Sequence, residues 1–186
     1  MGLKLNLGCG QKREPGFVNV DKAGDPDLRW DLEKFPWPWQ DGSASEIHLI
    51  HVLEHLGASS DVFIGVMKEL YRVCEAGAKI RIVVPHPRHD FYIGDPTHVR
   101  PVTPEMLQLF SKRENRRWTE MGAANTPLAL YHDVDFQIDD VQYMLDEPYS
   151  SELKSGKLAP AEIQALVRKY NNVVTEIQVT MSAIKP

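Results

Sequence analysis

Cysteine is scarce: Cys9 and Cys74 are the only two in 186 residues. Two thiols build neither a disulfide framework nor a cysteine cage for zinc. Long hydrophobic runs are missing too, since no apolar stretch approaches the ~20 residues that span a bilayer. The opening Met1-Gly2-Leu3-Lys4-Leu5-Asn6 lacks the apolar core of a signal peptide, so a soluble, cytoplasmic protein is expected. Positive charge is also short. Lys+Arg is 21 against 26 Asp+Glu, a net charge of −5, which argues against a dedicated nucleic-acid coat protein. There are no repeats and no low-complexity tracts. What is present is 42% hydrophobic and 25% charged residue, a globular balance, in a length that suits one domain with a sizeable core.

The first half alternates strand-like and helix-like stretches. Leu3–Leu7 reads as a strand running into the turn Gly8-Cys9-Gly10. Phe17–Val20 is a second strand ending at Asp21, Leu28–Trp30 a weak third ending at Asp31, and Ile47–Ile50 a fourth. Phe35-Pro36-Trp37-Pro38-Trp39 continues neither a helix nor a central strand, because its prolines lack N–H donors. Ser59 or Ser60 caps a helix whose buried stripe is Phe63, Val66, Met67, Leu70, Val73 and Cys74, with Gly77 as its stop. Lys79–Val84 is a fifth strand, apolar enough to be covered on both faces. A loop, His86–Pro104, leads to a helix starting at Thr103-Pro104-Glu105; a strand near Val134–Met144, a helix from Pro160 and a strand near Val173–Ile184 follow. Such alternation predicts an α/β fold with a mostly parallel sheet, closed by an antiparallel pair.

The strand-exit glycines Gly8 and Gly10 let backbone N–H groups approach a ligand without a Cβ in the way. Alone this is a weak signal. The next strand, however, ends in Asp21, an acid placed to accept both hydroxyl hydrogens of a ribose, and the third ends in Asp31, placed to accept from an adenine amine. Together they describe a nucleoside pocket at the carboxyl ends of a parallel sheet.

At this point the chain resembles a class I S-adenosylmethionine-dependent methyltransferase of the small bacterial, type 11-like kind. The resemblance is carried by Asn6-Leu7-Gly8-Cys9-Gly10, Phe17-Val18-Asn19-Val20-Asp21, Asp31-Leu32, Pro36-Trp37-Pro38-Trp39-Gln40-Asp41-Gly42-Ser43, His51-Val52-Leu53-Glu54-His55-Leu56 and Glu69-Leu70-Tyr71-Arg72-Val73-Cys74-Glu75-Ala76-Gly77, in order over the first half. It implies a Rossmann-like, seven-stranded sheet with helices on both faces and S-adenosylmethionine as cofactor. It places Gly8 and Gly10 against the methionine part, Asp21 on the ribose, Asp31 and Leu32 at the adenine, and His51 facing the methyl or the methionine amine. Asn6, Leu7, Cys9, Lys22 and Val52 complete the implied cofactor set. Asn6 stands where the family often has an acid, and Lys12 where a third glycine is common. The stretch from Gly10 to Asp21 is too short for a crossover helix plus a strand, so the first helix is expected to shrink to a turn.

Residues 1–85 then form a cofactor-binding half, 86–130 an acceptor lid and 131–186 the closing strands and helix of one domain. The lid carries His86, His89 and His98 as candidate general bases, and Arg88, Phe91 and Tyr92 as candidate acceptor contacts. No metal is expected, because these histidines lack tight ligand spacing. Trp37, Trp39 and Trp118 read first as packing residues, with Trp37 or Trp39 the alternative cover for the adenine, and His55 is expected to take a structural or pocket-wall role. Lys112–Arg117 is a basic run read as a solvated helix end. The implied activity is methyl transfer to a small-molecule acceptor, such as a sugar or metabolite hydroxyl. A non-catalytic cofactor-binding module and an RNA methyltransferase are the alternatives, with nucleic acid disfavoured, no membrane, and a homodimer left open.

Overall fold

The structure, a computed structural model, describes residues 2–186. Five strands come first around one long helix: β1 (Leu3–Leu7), β2 (Val18–Asp21), β3 (Leu28–Arg29), β4 (Ala44–Ile50), a 3₁₀ turn at Leu53–His55, α1 (Ser60–Val73) and β5 (Cys74–Pro85). Then follow α2 (Asp90–Ile93), α3 (Pro104–Gln108), α4 (Lys112–Glu120), α5 (Leu128–His132), β6 (Phe136–Leu145), α6 (Tyr149–Lys154), α7 (Pro160–Lys169) and β7 (Val174–Ala183). All seven strands join one sheet in the order β3-β2-β1-β4-β5-β7-β6. The first five are parallel; β7 runs antiparallel between β5 and β6. This is the mostly parallel sheet with an antiparallel closing pair that the sequence predicts.

The Ser59 side chain accepts from the Val62 N–H and starts α1, whose Phe63, Val66, Met67, Leu70 and Val73 are buried. Facing them are Leu5, Leu7, Ile47, Leu49, Ile80 and Ile82, all fully buried. The helix stops earlier than Gly77. Cys74 turns extended and begins β5, so Cys74 caps the helix rather than extending its stripe. Gly77, at φ +77°, lies where β5 slips register against β4 between the Ala44 and Glu46 pairings, and its glycine serves that irregularity.

Burial along β5 also corrects one expectation. Lys79 and Arg81 are exposed while Ile80 and Ile82 are fully buried. The alternation is that of a strand with one wet face. The register lines up Lys4, Glu46, Lys79 and Ser182 across four strands of that face. They are satisfied laterally: Lys4 pairs with Glu46 at 2.6 Å and Lys79 with Asp139 at 3.0 Å. Cover on the second face is therefore partial.

The expected turn replaces the first helix. Residues 8–17 contain no helix, and side chains hold them instead. Asn6, 3% exposed, donates from Nδ2 to the Lys12 carbonyl and to Asn19 Oδ1, each at 2.9 Å. Asn19 Oδ1 also accepts from the Glu14 N–H at 2.7 Å, and its Nδ2 donates to Asp27 at 2.8 Å. Asp27 accepts in addition from the Asn19 N–H and pairs with Arg13. These bonds hold its carboxyl below the usual range, the backbone bond from Asn19 first among them.

The Pro-Trp loop is clamped to α1 in a similar way. Arg72 donates to the carbonyls of Trp37 and Trp39 and to the Glu69 and Asp41 carboxylates, and Glu69 accepts from the Trp37 N–H.

Asn19→Ala leaves the Asn6 amide and the Glu14 N–H without their acceptor. Buried unsatisfied groups cost about 1–3 kcal/mol each. The expected outcome is a loss of about 2–4 kcal/mol, read as a fall of ~5–15 °C in the thermal midpoint. An unchanged midpoint would remove this network as the support for the turn.

Candidate functional site

From β1 the chain moves outward to β2 and β3, then returns across β1 to β4. The carboxyl ends of β1 and β4 thus border a topological switch point, where open α/β sheets leave a crevice. A cavity of about 410 Å³ lies there, within the size range of small-molecule sites. Each strand end contributes to its lining: Gly8 after β1, Asp21 and Lys22 at β2, Trp30, Asp31 and Leu32 after β3, and His51, Val52, His55 and Leu56 after β4. Thr97 reaches in from the lid segment.

Gly8 has φ +70°, and a Cβ there would meet Val52 Cγ2 at 2.4 Å. Its bareness lets the β1 turn pack on the β4 turn. Gly10 has φ +52° with open space around a Cβ, so only its backbone angle calls for glycine. The Gly10 N–H donates to Asp21 Oδ2 at 2.8 Å, and the Ala23 N–H to Asp21 Oδ1 at 2.9 Å. A carboxylate has about four acceptor sites, so Asp21 is oriented by the turn and keeps capacity for a diol. Asp31 is held likewise by the Glu33 N–H at 3.1 Å.

His51 has φ +56°, a region that non-glycine residues seldom occupy. Its N–H donates to the Val83 carbonyl at 2.8 Å, which helps fix the strained residue. The ring lies between Glu54 Oε1, 3.6 Å from Nδ1, and Glu176 Oε1, 3.1 Å from Nε2. The Glu54 carboxylate and then Glu176 hold the imidazole above its usual range, against partial burial. A strained backbone angle at a cavity mouth is a mark of functional sites.

Of the sequence candidates, Gly8, Asp21, Lys22, Asp31, Leu32, His51 and Val52 are brought together on this cavity. Asn6, Leu7 and Cys9 are not: all three are buried beneath it, and both Asn6 amide bonds are internal. Gly10 lines an adjoining pocket of about 420 Å³ with Arg13 and Asp25, and Asp21 borders both spaces. The Cys9 and Cys74 thiols are raised by burial, Cys74 to about 12, so neither is a nucleophile at neutral pH. Trp37 and Trp39 pack edge to face, with Trp37 2% exposed; the indole on the cavity is Trp30. Strand-end position signals Trp30 as well as it signals Asp31.

The lid divides in two. His86 lines a second groove with Tyr143, Ile163, Val167 and Ile177, on the α7 side, and burial lowers its pKa. The Arg88 guanidinium donates to the carbonyls of Val167 and Arg168, and so caps the end of α7. His89 is 3% exposed, accepts from the Phe91 N–H and pairs with Asp146 at 3.1 Å. Phe91 itself is 65% exposed. On the cavity side, the His98 ring lies 4.6 Å from that of His55 and stacks on Tyr92 at 5.3 Å. The basic run forms α4, where Lys112 pairs with Asp133 and Arg117 with Glu114. The Lys112 N–H donates to Asp135, beside the start of β6, at the opposite end of the sheet from the cavity.

No family model matches this chain, and no curated protein matches it. Solved structures do. An S-adenosylmethionine-dependent methyltransferase from Archaeoglobus fulgidus aligns over 97% of this chain and 86% of its own, at TM-score 0.63 and 16% identity. One from Methanosarcina mazei aligns over 98% and 92%, at TM-score 0.57 and 12% identity. A 16S rRNA (adenine(1408)-N(1))-methyltransferase variant from Catenulisporales acidiphilia, solved with its cosubstrate, aligns over 100% and 87%, at TM-score 0.51 and 16% identity. The fold is that of the class I S-adenosylmethionine-dependent methyltransferases.

The two glycines separate under substitution. Gly8→Ala meets both a steric clash and an unfavourable φ and is expected to cost about 2–3 kcal/mol. Gly10→Ala meets only the φ and is expected to cost about 1 kcal/mol. Urea denaturation reads both; equal losses would mean that the Val52 contact is not what demands glycine at position 8.

Proposed function

We propose that this chain is an S-adenosylmethionine-dependent methyltransferase acting on a small polar acceptor, such as a sugar or metabolite hydroxyl. The observation that carries the reading is the cavity at the β1/β4 switch point, where one turn glycine and two strand-end acids, Asp21 and Asp31, face the same space. These residues suit the cofactor. The capacity left on Asp21 fits a ribose diol, Trp30 and Leu32 offer apolar flanks to adenine, and Asp31 offers an acceptor for its amine. Lys22, Val52 and the backbone at Gly8 complete the set.

When bound, S-adenosylmethionine supplies a methyl group on a sulfonium that is already activated for transfer. The protein's remaining work is alignment and exclusion of water. His51, fixed by its backbone and by two carboxylates, is the group placed to orient the reacting end. His98, packed on His55, is the lid histidine whose ring meets a cavity residue. Residues 1–85 hold the cofactor in this reading, and the segment after β5 selects the acceptor. A small acceptor is favoured over RNA because the basic run on α4 is largely ion-paired and lies at the far end of the sheet. No helix among the described residues is long and apolar enough to cross a membrane.

Calorimetric titration with S-adenosylhomocysteine is expected to show one site in the micromolar range. Hydrogen bonds to a charged group are worth about 1.5–3 kcal/mol, so Asp21→Ala is expected to weaken binding about 10- to 150-fold. Absence of binding to the parent protein would sink the proposal. His89→Ala breaks the buried pair with Asp146 and is expected to lower the thermal midpoint while leaving that affinity unchanged; a matching loss of affinity would return His89 to the site.

A further inference from the structure

Glu54 is 1% exposed, and neither of its carboxylate oxygens has a hydrogen-bond partner; His51 Nδ1 stands 3.6 Å from Oε1, beyond hydrogen-bond reach. An ionised carboxyl in that state is costly unless a charge or donor completes it. Donor atoms of Glu54, His55 and His98 all lie within 4.8 Å of one another. We propose that these three residues form a binding site for one divalent transition-metal ion on the wall of the cavity.

The histidines are already set up as ligands. His98 Nδ1 lies 2.9 Å from the Tyr92 carbonyl oxygen, which accepts only, so Nδ1 donates there and Nε2, which faces Asp95 Oδ2 at 3.8 Å, is the nitrogen left to meet an ion. His55 Nδ1 faces the Thr97 carbonyl at 3.3 Å and the Thr97 hydroxyl at 3.0 Å. That hydroxyl donates onward to Asp95 Oδ1 at 2.6 Å, so it accepts from His55, and again Nε2 is left free. Orientation of a ligating imidazole by a carbonyl or carboxylate behind it is the usual outer support of a metal site. Ligand atoms about 2.1 Å from one ion stand about 3–4.2 Å apart, so small side-chain rotations close the site.

Two imidazoles and one carboxylate suit Zn²⁺, Mn²⁺ or Co²⁺ better than Mg²⁺ or Ca²⁺, which prefer oxygen throughout. Three protein ligands leave positions open, and His55 itself lines the cavity. Such an ion would hold an oxygen of the acceptor beside the cofactor. That role rests on the methyltransferase reading; the binding of the ion does not. The sequence spacing hides the site, because His98 comes from the lid while Glu54 and His55 follow β4.

The test is titration of untagged, chelator-treated protein with Co²⁺, followed by visible absorption and calorimetry. The expected result is one ion per chain with a ligand-field band in the visible. Glu54→Gln and His98→Ala are each expected to weaken uptake at least tenfold, and Thr97→Val, which removes one outer support, by about tenfold. Thermal melting and circular dichroism without metal check that each variant is folded; His98→Ala stands in should Glu54→Gln fail to fold. No band at millimolar Co²⁺, or equal uptake by the folded variants, overturns the metal site. Failure of the parent to bind S-adenosylhomocysteine while it takes up Co²⁺ overturns the functional reading alone.

Discussion

The hydrogen bonds from Asn6 through Asn19 to Asp27 replace a missing helix. A parallel crossover ordinarily buries its backbone polar groups in a helix of its own. Between β1 and β2 the chain has too few residues for one, and two buried amides take over the task. Asn6 is neutral and short. An ionised acid there could not donate to the Lys12 carbonyl, as Asn6 Nδ2 does. The turn thus pinned presents the Gly10 N–H to Asp21, and Asp21 faces the cavity. The geometry of the candidate site is inherited from that one connection.

Opposite the short turn, the sheet has two unlike faces. One is closed by α1 and the apolar residues of β4, β5 and β7. The other carries the Lys4, Glu46, Lys79 row, satisfied by lateral pairs instead of by a covering helix. Losing the first helix and wetting this face belong together: with no helix to bury them, alternate positions of β5 are free to be charged.

Around the cavity, polar groups are strongly prearranged. His51 sits at a strained backbone angle between two carboxylates, and His55 and His98 have their Nδ1 atoms committed. Preorganised polar groups in a partly closed space act on a ligand with little reorganisation at the moment of reaction. The lid residues that looked most reactive in the sequence go elsewhere. Arg88 caps α7, and His89 and Asp146 tie the lid to the end of β6. They hold the lid in place and leave the cavity to other groups.

The sequence by itself determined the parallel sheet, the strand-end acids and the absent first helix. Those follow from periodicity, from turn glycines and from a residue count between Gly10 and Asp21, all of which are local. It misplaced the stop of α1, because Gly77 looks like a helix terminator and only the pairing of β5 with β4 shows a register slip there. It left Trp37 and Trp39 as candidates where Trp30 lines the cavity, since which indole faces a ligand depends on how a loop is clamped by Arg72. Only the tertiary structure sorted the lid histidines and brought His98 to Glu54 and His55. Contacts between residues more than forty positions apart leave no periodic trace in a chain, and burial of Glu54 without a hydrogen-bond partner is a property of the folded chain alone.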